Sequence, residues 1–324
     1  MKDERIRFGF TIPQRGMLFG VADWSEMLEL ARAADRNTLF DSVWVGDSLM
    51  AKPRPESLTL LGALAGATSR VRLGVGCMAS FPLREPVLFA EQWANLDFIS
   101  NGRMQLAVCT GIGLGGASAK EGAIWGVRDS ERGERMAENI AICRRLWGED
   151  RVTFSGNYRT FVDAYVVPKP VQQPCPIWIA ANPKPSLSGK ALRRVAQIAD
   201  GWMLAQVWPG LFAALWTKLS RHLAEAGRDP ATFPNIAYHN INVARDRETA
   251  LAETERFLHS YYGPVFSSEQ AAGWTAAGTP GQCVEDLNRL IEVGAKAITL
   301  RITGWNQREQ FERIVAEVLP HVGI

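Results

Sequence analysis

Residues 69–113, SRVRLGVGCMASFPLREPVLFAEQWANLDFISNGRMQLAVCTGIG, have the pattern of a strand, a helix and a second strand. The run from Val71 to Cys77 is apolar and partly β-branched, which predicts a strand buried on both faces. Pro86 suits the first turn of a helix, whose apolar positions recur at helical spacing until Gly102. The second strand spans Met104 to Cys109. Because two parallel strands and one helix leave faces unburied, this βαβ unit should recur.

The pattern does recur along the whole chain. Each strand candidate is followed by at least one helix candidate, and the strand candidates are Ile6–Ile12, Ser42–Val45, Val71–Cys77, Met104–Cys109, Ile177–Ala181, Trp202–Ala205, Ile236–Val243 and Ala297–Ile302. The chain has 324 residues, somewhat more than the ~250 typical of a (β/α)₈ barrel. Long loops are predicted at 111–129 and 263–278, and two short extended pieces at 152–154 and 165–167. Asp23 and Thr279 are predicted as N-caps of helices. We therefore predict one α/β domain over residues 1–324, a TIM barrel with insertions in its strand-to-helix loops.

Two doubly wound domains are the main alternative to a barrel. Their boundary would need a segment rich in Pro, Gly and Ser, and residues 167–176 are the candidate. Gly111, Gly113 and Gly116 also satisfy the G-x-G-x-x-G pattern of dinucleotide-binding domains. That pattern normally follows the first strand and opens directly into a helix. Here it follows the fourth strand and a polar loop intervenes, so the barrel is favoured.

The composition is that of a globular protein, with 47% hydrophobic residues, 22% charged residues and a net charge of +2. No dense run of Lys and Arg occurs, which argues against nucleic-acid binding. The five cysteines are scattered without a Cys-x-x-Cys pair, which is typical of a reducing compartment. No segment approaches the ~20 apolar residues that span a bilayer. We expect a cytoplasmic protein without a membrane partner.

In a barrel, catalytic residues are expected where the strands end. The second strand ends in Gly46–Leu49, whose letters GDSL match the signature of a class of serine hydrolases. Those enzymes pair the serine with a histidine base, usually from an Asp-x-x-His motif, and no histidine of this chain has an aspartate three positions before it. A serine hydroxyl without a base is a weak nucleophile, so serine hydrolysis is disfavoured.

The histidines also lack the spacing of metal ligands. Neither His-x-His nor His-Glu-x-x-His occurs among the four, so we predict no metal site. His239 lies within a predicted strand, where packing explains a histidine well. It is a reserve candidate for acid–base chemistry.

Nine short motifs occur in a fixed order over most of the chain. They are FDSVWVGD (40–47), TSRVRLG (68–74), PLREP (82–86), LDFISNGR (96–103), PKP (168–170), PIWIA (176–180), ADGW (199–202), GTP (278–280) and GA (294–295). In order and spacing they resemble the bacterial-luciferase-like flavin-dependent oxidoreductases, the luciferase-like monooxygenase family. The resemblance implies a (β/α)₈ barrel that binds FMN at its C-terminal mouth, or the deazaflavin cofactor that one branch uses.

The resemblance also implies where the cofactor ring lies. The family has a non-prolyl cis peptide bond just after the third strand, which supports the ring. The matching segment consists of Gly76, Cys77, Met78 and Ala79. Cys109 stands where luciferases have a cysteine beside the reactive edge of the ring, and Thr110 replaces their arginine. We take Cys109 as a catalytic candidate and the other five residues as cofactor-binding candidates.

A phosphate site is implied in the loop and helix start after the fifth strand. Its candidates are Asn182, Ser186, Ser188 and Gly189, which can offer hydroxyl and N–H groups to an anion at a positive helix end. Arg132 lies where the family often has an arginine that pairs with the phosphate. An ordinary surface role is the alternative for Arg132.

The end of the second strand departs from the family pattern. Many members have a histidine there, where this chain has Asp47 and Ser48. A hydroxyl can orient a cofactor or substrate, but it titrates too high to act as a base near neutrality. We take Asp47 and Ser48 as catalytic candidates, while substrate, water, His239 or the cofactor remain open as sources of acid–base chemistry.

These expectations favour an FMN-dependent monooxygenase that acts on a small organic substrate and receives reduced flavin from a separate reductase. The first alternative is a deazaflavin-dependent oxidoreductase that transfers a hydride and consumes no oxygen. A flavin-binding barrel without catalysis is a further alternative. Family members are commonly dimers, so the resemblance also implies a homodimer.

Overall fold

A closed ring of parallel strands forms the centre of the computed structural model, which describes residues 6–111, 116–183 and 189–323. Eight strands lie side by side and close the ring through a last pairing of the eighth with the first. All pairings in the ring are parallel. The predicted (β/α)₈ TIM barrel is confirmed. The strands of the described part are β1 (Arg7–Thr11), β2 (Phe40–Val45), β3 (Arg72–Met78), β4 (Met104–Val108), β5 (Val152–Ser155), β6 (Thr160–Ala164), β7 (Ile177–Ala180), β8 (Trp202–Ala205), β9 (Asn235–Val243), β10 (Thr275–Gly278) and β11 (Ala297–Ile302).

The order of strands around the ring is β9-β11-β1-β2-β3-β4-β7-β8, and helices cover its outside. The helices of the described part are α1 (Trp24–Arg36), α2 (Ser57–Ala67), α3 (Pro86–Ile99), α4 (Ala117–Ile124), α5 (Arg132–Gly148), α6 (Gly189–Ile198), α7 (Pro209–Glu225), α8 (Arg247–Tyr262), α9 (Ser268–Gly273), α10 (Pro280–Glu292) and α11 (Gln307–Arg313). None of these helices is both long and apolar enough to cross a bilayer.

Side-chain caps explain two helix starts that the sequence predicts. At the start of α1, the Asp23 carboxylate accepts the backbone N–H of Glu26 at 2.8 Å. At the start of α10, Thr279 and Gln282 form a reciprocal capping box, with Pro280 in the first turn. Each cap satisfies a backbone donor that the helix itself leaves unpaired, which stabilises a helix by about 1 kcal/mol.

The segment between α5 and β7 differs from the prediction. The sequence places a second extended piece at 165–167, but β6 ends at Ala164 and pairs antiparallel with β5. The reason is a tight turn, in which the Gly156 N–H donates to the Arg159 carbonyl at 2.9 Å. Because the turn is short, β6 begins only a few residues after β5 ends. It therefore lies closer to β5 in sequence than the predicted piece at 165–167.

Both long predicted loops contain regular structure. The segment 111–129 includes α4, and the segment 263–278 includes α9 and β10. Ser267 and Gln270 form a capping box at the start of α9, a signal that the sequence carries. β10 pairs in parallel with the C-terminal half of β9 and extends the sheet outside the ring.

Trp44 fills one side of the barrel interior. It lies on β2 and is 2% exposed, and its Nε1 donates to the Ser42 hydroxyl at 2.8 Å. Glycines stand beside the indole on both neighbouring strands, Gly9 on β1 and Gly74 on β3. A Cβ atom at either glycine would overlap the indole ring. The two glycines are therefore required by the close approach of Trp44.

We expect Gly74→Ala to lower the free energy of unfolding by about 1–3 kcal/mol, because the new methyl overpacks the barrel interior. The matched control is Gly66→Ala on the exposed face of α2, where a Cβ meets nothing within 4 Å. That change should raise stability by up to about 1 kcal/mol through helix propensity. Chemical denaturation followed by circular dichroism measures both. Equal stabilities for the two variants would contradict the packing of Trp44.

Candidate active site

A cavity of about 430 Å³ lies at the carboxyl ends of the barrel strands. The segments that follow β2, β3, β4, β7 and β8 form much of its wall, and side chains of β9 and α8 complete it. This volume is in the usual range for small-molecule sites. The mouth is where TIM-barrel chemistry is expected, so this cavity is the candidate active site.

The floor of the cavity contains a cis peptide bond between Gly76 and Cys77. This is the segment in which the sequence resemblance predicts a non-prolyl cis bond. Cys77 and Cys109 are free thiols whose Sγ atoms lie 2.7 Å apart. The hydrogen bond between them holds the pKa of Cys77 below its usual value and raises the pKa of Cys109. The structure thus brings the two predicted edges of the site together.

The remaining floor candidates divide between the cavity and the core. Ala79 and Thr110 line the cavity with Gly76 and Cys77. Met78 is fully buried and belongs to the large hydrophobic core. Successive side chains on a strand point to opposite faces, so Met78 faces the helices when Cys77 faces the cavity. The Met78 side chain therefore does not line the cavity, and a contact of its backbone with the cofactor stays a prediction.

The Asp47 carboxylate joins two segments of the barrel mouth. Its Oδ1 accepts the Ser57 hydroxyl at 2.7 Å and its Oδ2 accepts the Ser80 N–H at 2.7 Å. Arg84 pairs with the same carboxylate at 3.3 Å, and the Asp47 side chain is 1% exposed. Because strong donors already occupy both oxygens, Asp47 positions the mouth. A catalytic role for Asp47 stays a prediction.

Ser48 belongs to a second network that the sequence reasoning missed. One oxygen of Glu121, on α4, accepts three consecutive backbone N–H groups, those of Leu49, Met50 and Ala51, at 2.7–3.1 Å. The Ser48 hydroxyl donates to the same oxygen at 3.3 Å. Glu121 is 2% exposed and lines the cavity. It anchors the segment after β2, and a catalytic role for Ser48 stays a prediction.

Arg132 lies beneath the segment that follows β4. Its guanidinium donates to the carbonyls of Thr110 and Ser118 and pairs with Asp129 at 3.0 Å. The side chain is 0% exposed and does not line the cavity. The alternative of an ordinary surface role is therefore wrong, because Arg132 holds the chain around α4 in place. Its pairing with a cofactor phosphate stays a prediction.

At the start of α6, the phosphate candidates fall on both described and undescribed residues. Ser186 and Ser188 lie outside the described residues. The Asn182 amide bonds to the backbone N–H and carbonyl of Ala205, and Gly189 begins α6. The sequence reasoning missed Arg194, which lines the cavity from α6. The sequence shows two adjacent arginines, Arg193 and Arg194, but it does not tell which of them faces the cavity.

Cations and aromatic rings form another wall of the cavity. They come from the segment after β2 and from α8. Arg54 Nη1 donates to the Tyr261 hydroxyl at 3.2 Å, and Lys52 Nζ lies 5.3 Å from the Tyr262 ring centre. Behind them, the buried Arg301 donates to the Tyr262 hydroxyl at 2.7 Å. Trp274 is 2% exposed and completes this wall. We call these six residues, with Tyr238, the cationic wall. Sequence reasoning did not identify the cations or the tyrosines of this wall.

His239 lies outside the cavity. Its neighbour on β9, Tyr238, lines the cavity, so His239 points to the other face of the strand. Burial lowers the pKa of His239 to about 4, which keeps the imidazole neutral at physiological pH. The reserve assignment of His239 to acid–base chemistry at this mouth is therefore wrong. No described histidine lines the cavity, which also leaves Ser48 without the base that a serine hydrolase needs.

A family model agrees with these observations. The model described as luciferase-like monooxygenase matches residues 6–282. The chain belongs to the luciferase-like monooxygenase family. The predicted family is thus confirmed, and this luciferase-like protein is an oxidoreductase.

Similar proteins give a finer picture of the family. An F420-dependent glucose-6-phosphate dehydrogenase of Nakamurella multipartita is 28% identical, and the match covers 98% of this chain and 96% of that protein. The solved structure of an F420-dependent secondary alcohol dehydrogenase with an F420–acetone adduct has a TM-score of 0.83 at 19% identity, over 99% and 100% of the two chains. The monooxygenase RslO1 of Streptomyces bottropensis has a TM-score of 0.78 at 22% identity, over 98% and 99%. At these identities the two structures support the fold alone.

We expect Asp47→Ala to lower the free energy of unfolding by about 3 kcal/mol, since it leaves the Ser57 hydroxyl and the Ser80 N–H without their acceptor. The control Asp150→Ala removes an exposed carboxylate and should change stability by less than about 0.5 kcal/mol. Urea denaturation measures both variants. If Asp47→Ala keeps full stability and loses only activity, the positioning role is wrong and Asp47 acts on the substrate.

Proposed function

We propose that this luciferase-like protein is a deazaflavin-dependent dehydrogenase, which transfers a hydride between a hydroxyl-bearing organic substrate and F420. The observation that carries the proposal is the match over nearly the whole chain to an F420-dependent glucose-6-phosphate dehydrogenase. This match supports the deazaflavin alternative above the FMN-dependent monooxygenase that the sequence reasoning favoured. The substrate itself supplies the hydride in this proposal, so no separate reductase is needed.

The described residues of the cavity fit a flat cofactor that carries a phosphate. Gly76, Ala79 and Ala180 leave space beside the cis peptide bond, because none has a side chain longer than a methyl group. Arg194 lines the cavity, and no described carboxylate forms an ion pair with it. A bound deazaflavin would supply the hydride acceptor, a chemistry that no protein side chain provides.

The contribution of the protein is to bind, orient and exclude water. Asp47 and Glu121 fix the segments that follow β2 and β3, so the floor keeps its shape when a ligand enters. Trp274 and the tyrosines of the cationic wall cover the other side with aromatic surface. Removing water from such a site strengthens the electrostatic interactions within it.

Titration of the purified protein with oxidised F420 and with FMN, followed by fluorescence, tests the proposal. We expect F420 to bind at least about tenfold more tightly, a difference of about 1.4 kcal/mol. Added glucose-6-phosphate or propan-2-ol should then reduce F420 without oxygen consumption at an oxygen electrode. Turnover with FMN that consumes oxygen would favour the monooxygenase instead. Failure to bind either cofactor would overturn both functions.

Arg194→Met tests the phosphate end of the cavity. We expect it to raise the Kd for F420 by roughly tenfold or more, because a hydrogen bond to a charged group contributes about 1.5–3 kcal/mol. The matched control is Arg193→Met, which removes the exposed neighbour on the same helix and should leave the Kd unchanged. Equal effects of the two substitutions would mean that general positive charge, and not Arg194, attracts the cofactor.

A further inference from the structure

We propose that Tyr261 is the general base of this dehydrogenase and accepts the hydroxyl proton of the substrate. The inference rests on the proposed function, since an alcohol that gives up a hydride must also lose its O–H proton. Tyr261 lies near the end of α8, is 5% exposed and lines the cavity.

The carboxylates of the cavity wall are poor candidates for the base. Asp47 accepts the Ser57 hydroxyl and the Ser80 N–H, and Arg84 pairs with it. One oxygen of Glu121 accepts three backbone N–H groups. These bonds occupy both oxygens of Asp47 and Oε1 of Glu121, so these atoms hold the segments after β2 and β3 in place. The base must therefore be sought elsewhere in the described wall.

The two cysteines of the floor are engaged with one another. Their Sγ atoms are 2.7 Å apart, and the contact lies beside the cis peptide bond where the cofactor ring is expected. The described wall contains no histidine. The remaining candidates are the tyrosines of the cationic wall and Lys52. While it is protonated, Lys52 has only donors and cannot accept a proton.

Four cations surround Tyr261, and they come from three parts of the chain: the segment after β1, the segment after β2, and β11. Arg301 of β11 lies 4.7 Å from the ring centre, Arg54 lies 5.6 Å from it and Arg15 lies 5.7 Å from it. The positive charge of Lys52, in the segment after β2, also lowers the pKa of Tyr261. None of the four forms an ion pair with a described carboxylate. The other titratable groups that face this cluster are Tyr238, Tyr262, Asp47 through Arg54, and Cys77 and Cys109 through Lys52.

Buried positive charge without a carboxylate favours a negative charge nearby. Arg301 is 2% exposed, and its Nη2 has no hydrogen-bond partner in the described part of the chain. The Tyr261 hydroxyl accepts from Arg54 and makes no other bond to a described residue. The oxygen therefore has a free lone pair that can accept a proton from a ligand in the cavity. A phenolate at Tyr261 would place the missing negative charge among the cations.

The three tyrosines of the wall titrate differently. Burial raises the pKa of a phenol, but at Tyr261 the charges of Arg54, Arg301, Arg15 and Lys52 outweigh burial and bring the pKa below its usual value. Burial dominates at Tyr238 and Tyr262, whose pKa values are raised. We therefore expect Tyr261 to be the phenol of this wall that ionises first as the pH rises.

The step balances with the proposed cofactor as the oxidant. The O–H proton of the substrate passes to the phenolate oxygen of Tyr261, and the hydrogen on the carbinol carbon leaves with its electron pair for oxidised deazaflavin. The carbon–oxygen single bond becomes a carbonyl. The substrate is oxidised by two electrons, the deazaflavin is reduced by two, and Tyr261 returns its proton to water.

A spectroscopic titration of the full-length protein tests the ionisation without cofactor. The chain has five tyrosines, so the near-ultraviolet absorbance of each phenolate is a measurable fraction of the total. We expect one step below the others, which is lost in Tyr261→Phe and kept in Tyr262→Phe. Arg54→Met should move this step to higher pH. A first step that persists in Tyr261→Phe overturns the proposal.

Kinetics test the role in proton transfer. With the best alcohol of the panel, kcat of the wild type should rise with pH through the ionisation of Tyr261, and Tyr261→Phe should lower kcat by about 100-fold or more without that rise. Its Kd for F420 should stay unchanged. The control Tyr165→Phe alters an exposed residue far from the wall and should behave as the wild type.

The outcomes separate this inference from the proposed function. If the wild type reduces F420 and Tyr261→Phe keeps kcat within about threefold and the same pH profile, Tyr261 is not the base while the dehydrogenase stands. If the wild type oxidises no alcohol of the panel with F420, the proposed function fails, and the role of Tyr261 fails with it.

Discussion

The hydrogen bonds of the Asp47 carboxylate decide the shape of the barrel mouth. One oxygen holds Ser57 at the start of α2, and the other holds the Ser80 N–H just after β3. The chain around β3 also carries the cis peptide bond between Gly76 and Cys77, so the floor of the cavity is fixed from its neighbour β2. Water cannot replace these bonds without opening the mouth, because the carboxylate is 1% exposed. The site therefore depends on a residue whose acceptor capacity is already used.

Charge is distributed unevenly around this mouth. The carboxylates of Asp47 and Glu121 meet donors of the protein itself, whereas Lys52, Arg54 and Arg301 meet aromatic rings and hydroxyls. A cation over an aromatic face gains about 0.5–2 kcal/mol, which is less than the cost of removing the charge from water. The cationic wall thus favours any negative charge placed against it, whether on a ligand or on a phenol.

The sequence predicts the barrel well because buried parallel strands are short apolar runs with helices between them. Trp202–Ala205 and Ala297–Ile302 have their predicted bounds. The sequence did not predict β10 (Thr275–Gly278), because its residues TAAG are mostly small and have little strand preference. The floor of the site was predictable from motifs, since the backbone of neighbouring strands forms it. Glu121 was not, because its contact with the segment after β2 spans 70–73 positions of sequence.

The difference between sites formed by backbone and sites formed by side chains has a further consequence. The order of motifs predicts the cofactor floor, but it does not predict the group that accepts a proton. A floor made by the backbone of β3 and β4 keeps its place when side chains elsewhere change. A proton acceptor needs only a side chain at the mouth, and every strand end and several helices meet there. After the second strand, this chain has a carboxylate that binds its own backbone. The proposed base is instead a phenol on α8, where nearby cations that have no ion pair with a described carboxylate lower its pKa.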